Sequence, residues 1–175
     1  MAAVLTLHQT TIGKKVIMAV TGIVLVAYVF VHMIGNLKLY QGPDALNNYA
    51  DFLRVIAYPA LAREQALWMV RAILLVSVVL HIWAAYSLTR LDWASRPVGY
   101  ANKRLVQASY ASRTMRWGGV IIGLFIIYHI LHLTTGTIQP VAYTKDVYRN
   151  VVGGFQVWYV SLIYIVANVA LAFHL

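Results

Sequence analysis

Four apolar runs, separated by polar connections rich in turn residues, set the hydropathy pattern of this chain. They cover about residues 16–39, 66–88, 116–137 and 155–175. At ~1.5 Å per residue each is long enough to cross a ~30 Å hydrocarbon layer as a helix. The third run, RWGGVIIGLFIIYHILHLTTGT, carries no charge from Trp117 to Thr135 yet holds His129 and His132. Upstream of the first run, Thr10 or Thr11 is placed to cap a helix starting near Ile12. The connection 40–64 has turn chemistry at Gly42-Pro43-Asp44 and at Tyr58-Pro59. Its middle, 45–57, has apolar residues at helical spacing and predicts an amphipathic surface helix. The connection 89–115 is the most basic, broken by Pro97 and Gly99, and 138–154 reads as a short polar loop ending at Gly153-Gly154. The pattern predicts an all-α integral membrane protein, one transmembrane bundle over 1–175 with four spans.

Composition narrows this further. The 175 residues are 61% hydrophobic and 11% charged, with mean hydropathy +0.71, more apolar surface than a soluble domain of this size can bury. Cysteine is absent, which removes disulfides, zinc thiolates, thiol nucleophiles and iron–sulfur ligation by this chain. The net charge of +9 lies between the apolar runs rather than in one stripe, so it reports topology and lipid head groups and not nucleic acid. The first run is too long for a cleaved signal peptide and lacks a small-residue cleavage site after it.

Histidine is the chemistry in these runs. Imidazole in hydrocarbon needs a hydrogen bond, a water cavity or a metal. His32, His81 and His174 lie in the other three runs, while His8 precedes the first and reads as solvated. Running the spans alternately out and in resolves the set into two depths: an outer pair, His32 with His129 or His132, and an inner pair, His81 with His174. Gly22 lies ten residues before His32 and Gly119 ten before His129, with an aromatic four before each, Tyr28 and Phe125. These spacings favour His129 over His132 as the partner of His32. His132, close to Thr134 and Thr135, is expected to bond a neighbouring helix, with quinone contact or proton handling as alternatives. Glycine admits a flat macrocycle or another backbone, and one histidine from each of two helices at matched depth is what bis-imidazole haem ligation needs. The 12 tyrosines and 5 tryptophans, many near span ends, read mostly as interface belts.

TTIGKKVIMAVTGIVLVAYVFVHMIGNLKLY resembles the first helix of the cytochrome b anchor subunit of succinate dehydrogenases, in its single-polypeptide dihaem form. LLVSVVLHIW, RWGGVIIGLFIIYHILHLTTGT and VALAFHL resemble that family's second, third and fourth ligand helices. The resemblance, shared with dihaem fumarate reductase anchors, covers nearly the whole chain. It implies two haem b groups, one on His32 and His129 and one on His81 and His174. It also implies a quinone site for menaquinone, a flavoprotein partner carrying FAD, an iron–sulfur partner subunit, and a bacterial cell membrane; the Lys and Arg count separately places the amino terminus in the cytoplasm. On that reading this chain has no catalytic residue for succinate. Lys14, Lys38, Arg71 and Arg116 are candidates for haem propionates, and Ser77 is placed to take the second nitrogen of His81. The family has a fifth helix after its fourth ligand, so a further helix is expected beyond Leu175. Some fumarate reductase relatives have a glutamate two residues before that ligand; Ala172 stands here, which leaves that proton route unsupported.

Two rival classes fit the pattern: the cytochrome b subunit of another respiratory enzyme, such as a hydrogenase or formate dehydrogenase, and a haem-free transporter using histidines as a relay. Topology is testable directly. Lys14, Lys15, Arg90, Arg96, Lys103, Arg104, Arg113 and Arg116 fall on one side, against six basic residues on the other, which by the positive-inside rule puts 89–115 in the cytoplasm. Reporter fusions in 89–115 are expected to be active inside and fusions near Asp146 outside. An external signal from 89–115 would invert the two depths.

Overall fold

A computed structural model describes residues 7–95 and 110–175, and every regular element among them is helical. They fall into two compact units, one on each side of the segment 96–109. Arg96, Pro97, Gly99, Lys103 and Arg104, which figured in the reading of the basic connection, lie outside the described residues.

In the first unit, α1 spans Thr11–Asn36. Thr10 is the cap, its Oγ1 accepting from the Gly13 amide at 2.9 Å, so the helix starts five residues before the apolar run. It tightens into a 3₁₀ turn over Leu37–Gln41 and ends at Gly42, whose φ of 100° a side chain would oppose. Pro43 then opens α2, Pro43–Val55, close to the amphipathic helix predicted there. Gly35 of α1 makes room for it: the Tyr49 ring lies 2.8 Å from where a Cβ would stand. The third helix, α3, spans Gln65–Ala94 and packs along α1.

In the second unit, α4 spans Tyr110–His129 and continues as a π turn over Ile130–Thr134. A π turn inside an α-helix is rare and often marks a functional position. The segment read as a polar loop contains a helix instead: α5, Val147–Phe155, capped by Asp146, whose Oδ1 accepts from the Arg149 amide at 2.9 Å. Gly153-Gly154 is therefore inside a helix rather than ending a loop. Then α6, Trp158–His174, packs along α4 and meets α5 at 94°.

Among the described residues, three helices are long and apolar enough to cross a membrane, or four if α5 and α6 count as one bent span. The burial pattern is inverted relative to a soluble protein. Thr21, Ser77, His132 and Asn150 are buried, while Ile23, Phe30, Leu124 and Ile165 are at least 60% exposed. Helices that turn polar groups inward and apolar groups outward match a hydrocarbon solvent.

Asn150 organises the connection before α6. Its Oδ1 accepts from the Thr144 amide at 2.9 Å, and its Nδ2 donates to the Thr144 carbonyl at 2.7 Å. Replacing Asn150 with Ala strips partners from buried backbone groups and is expected to cost about 1–3 kcal/mol. Thermal unfolding in detergent checks this; an unchanged midpoint would contradict it.

Candidate functional site

In the first unit, His81 of α3 faces α1. Its Nδ1 lies 3.1 Å from the Met18 carbonyl and 3.2 Å from Thr21 Oγ1. A carbonyl cannot donate, so Nδ1 must carry the proton, and in the neutral ring Nε2 then carries the lone pair. Thr21 is consistent with this: its hydroxyl donates to the Ile17 carbonyl at 2.7 Å, leaving oxygen lone pairs toward the imidazole. The expected partner, Ser77, is buried, but the bonds that orient His81 come from Met18 and Thr21. The ring lies over Gly22, whose added Cβ would stand 3.4 Å from His81 Cε1. The glycine thus admits an imidazole from the facing helix.

The second unit repeats this arrangement. His174 of α6 places Nδ1 3.1 Å from the Met115 carbonyl of α4, and its Cε1 lies 3.2 Å from where a Gly119 Cβ would stand. Nδ1 is again the protonated nitrogen. One 97-position offset relates Met18 to Met115, Gly22 to Gly119, Tyr28 to Phe125 and His32 to His129. In each unit a histidine from the later helix is bonded to a methionine carbonyl and seated on a glycine of the earlier one.

The remaining histidines lie one level further along. His32 is ten residues beyond Gly22 on α1, and His129 ten beyond Gly119 on α4, about 15 Å along each axis. Tyr28 stacks on His32 at 5.4 Å and Phe125 tilts against His129 at 5.8 Å, as i,i+4 neighbours on one helix face do. Each unit therefore holds histidines at two levels. The members of each expected ligand pair, His32 with His129 and His81 with His174, belong to different units.

His132 departs from the repeat. It is fully buried in the π turn, and its Nδ1 lies 3.0 Å from the Tyr164 hydroxyl of α6. This is the bond to a neighbouring helix expected for it. The same hydroxyl lies 3.1 Å from His129 Nδ1. Tyr164 is 9% exposed and wedged among Phe125, Phe155 and Tyr128, a core residue and not part of an interface belt. Its position ten residues before His174, inside an apolar run, was the sequence signal for it. Nothing in the sequence singles out the Met18 and Met115 carbonyls, since every residue has one.

Of the cations considered for propionates, Lys38 bonds Gln41 Oε1 at 3.3 Å and Arg71 lies over the Trp68 ring at 4.7 Å. His8 is exposed, as expected. No group of three or more metal-ligating side chains occurs among the described residues; axial ligation of a haem needs two nitrogens, one on each face. No family model, curated protein or solved structure matches the chain.

Two glycine substitutions separate tight from loose seats. Gly22→Ala meets the His81 ring at ordinary contact distance and removes a helix-interior glycine, so stability is expected to hold or rise by about 0.5–1 kcal/mol. Gly154→Ala brings a methyl to 2.8 Å from His132 Nε2 in a closed site and is expected to cost about 1–3 kcal/mol. Comparing the two by thermal unfolding tests the packing; equal effects would refute it.

Proposed function

We propose that this chain is the dihaem cytochrome b anchor of a succinate:menaquinone oxidoreductase in a bacterial cell membrane. It would hold two b haems, one between His32 and His129 and one between His81 and His174. The observation that carries the haem reading is the repeated carbonyl bond: Met18 to His81 Nδ1, and Met115 to His174 Nδ1. Both rings are held in the tautomer that presents Nε2 as the σ-donor. A carbonyl that accepts from the far nitrogen in this way orients a metal-bound imidazole and raises its basicity. Two such rings, one per unit and each seated on a glycine, match the donor set of a bis-imidazole site.

A bound b haem supplies a one-electron Fe(III)/Fe(II) couple. The chain's own part is to hold four imidazoles at two levels, fix the tautomers of His81 and His174, and surround the rings with apolar helices. The succinate chemistry would belong to a flavoprotein partner with FAD, and electrons would arrive by an iron–sulfur subunit docked on the cytoplasmic side. These partners rest on the resemblance of the four histidine-bearing segments.

The His129–Tyr164–His132 cluster favours one rival, a haem-free polar relay. A reduced-minus-oxidised visible spectrum with a haem count separates the two. Two b haems per chain are expected in the purified complex, falling to one in His81→Ala and one in His129→Ala, with two kept in His132→Ala. Absence of b-type bands from the intact complex would end the haem reading. Co-purifying subunits with nickel or molybdenum in place of flavin would move the chain to a hydrogenase or formate dehydrogenase. If quinone reduction survives loss of the haem on His81, electrons bypass that haem.

A further inference from the structure

For His129 the same tautomer follows by a longer route, through the Tyr164 hydroxyl that lies 3.1 Å from its Nδ1. The route starts at the Asn150 carbonyl, which accepts from Gln139 Nε2 at 2.8 Å. A carbonyl can only accept, so the amide of Gln139 is pinned with its NH₂ toward Asn150 and its Oε1 turned the other way. Gln139 Oε1 and His132 Nε2 are both buried, and each lies within 3.0 Å of the point where a Gly154 Cβ would stand. Neither completes a hydrogen bond with good geometry in this conformation.

A proton on His132 Nε2 would face the Gln139 oxygen. A lone pair there would oppose another lone pair in a site closed to water, which is the costly arrangement. With the proton on Nε2, His132 Nδ1 is an acceptor, and the Tyr164 hydroxyl, 3.0 Å away, must donate to it. A phenol has one proton. The oxygen is then left to accept from His129 Nδ1–H at 3.1 Å, which leaves the lone pair on His129 Nε2.

We infer that Gln139, His132 and Tyr164 are positioning residues for His129, a relay that transmits the polarity of the Asn150 carbonyl and locks His129 in the ligand tautomer. The π turn places His132 within this chain, and Gly154 leaves room for its ring against Gln139. His132 thus acts through Tyr164 and not on the metal. This role rests on the reading of His129 as a haem ligand.

A ligand imidazole whose Nδ1–H is bonded to an acceptor is a stronger donor, which favours the ferric state. Removing that acceptor should raise the midpoint potential of the haem that His129 holds. The test is potentiometric titration of the purified complex, with haem counted on the same samples, for wild type, Tyr164→Phe and Gln139→Leu. Tyr164→Phe is expected to shift one haem upward and leave the other in place, with two haems retained. Gln139→Leu, which acts on His129 only through His132 and Tyr164, is expected to shift the same haem upward by less. If Tyr164→Phe loses the haem through misfolding, Gln139→Leu decides alone. Two retained haems with unmoved potentials in Gln139→Leu and in any haem-loaded Tyr164→Phe would overturn the relay and leave the ligand reading standing. A wild-type complex without haem would overturn both, and the haem count makes that case distinct.

Discussion

A polar side chain placed in hydrocarbon has no water to fall back on, so its partner must come from the protein. Backbone carbonyls are the most dependable source. A helical carbonyl spends one lone pair on the amide four residues later and keeps a second. Met18 and Met115 give that second lone pair to the Nδ1 of an imidazole from the facing helix. Each ring lies against a glycine of the facing helix, tightly at Gly119, where a Cβ would stand 3.2 Å from His174 Cε1, and at ordinary contact distance at Gly22. The pairing of α1 with α3, and of α4 with α6, is organised around these two contacts.

The same constraint accounts for the extra structure at the far end of the second unit. His132 adds a second imidazole one turn from His129, and both must be satisfied in a buried place. One phenol oxygen serves both rings. The connection before α6 folds back so that Gln139 and Asn150 extend the chain of polar groups from Tyr164. α5 stands where a loop was expected, and His132 and Gln139 occupy the volume a side chain at its Gly154 would take.

Much of the architecture was legible in the sequence because lipid imposes length and polarity on whole segments. The four apolar runs, the Thr10 cap, the amphipathic α2 and the two histidine levels follow from patterns that average over many residues. The end of α3 was not, since that helix runs on past Leu88 through polar residues to Ala94. Two readings missed a physical alternative. Gly153-Gly154 looked like a turn, although a glycine also serves where a neighbouring ring must approach a helix. Tyr164 was not singled out among the tyrosines, although a phenol is suited to bridge two imidazoles in an apolar core. The partner of His81 was sought on its own helix at Ser77; it came from a facing carbonyl, and backbone atoms leave no mark on the sequence.

The central claim is that these imidazoles work in pairs on opposite faces of an iron. Low-temperature electron paramagnetic resonance of the oxidised, purified complex tests it most directly, because two nitrogen ligands of this strength make ferric haem low-spin. The account predicts two low-spin ferric haem signals, of which His174→Ala abolishes one and His32→Ala the other. A high-spin haem in the wild type, or loss of the same signal in both variants, would contradict it.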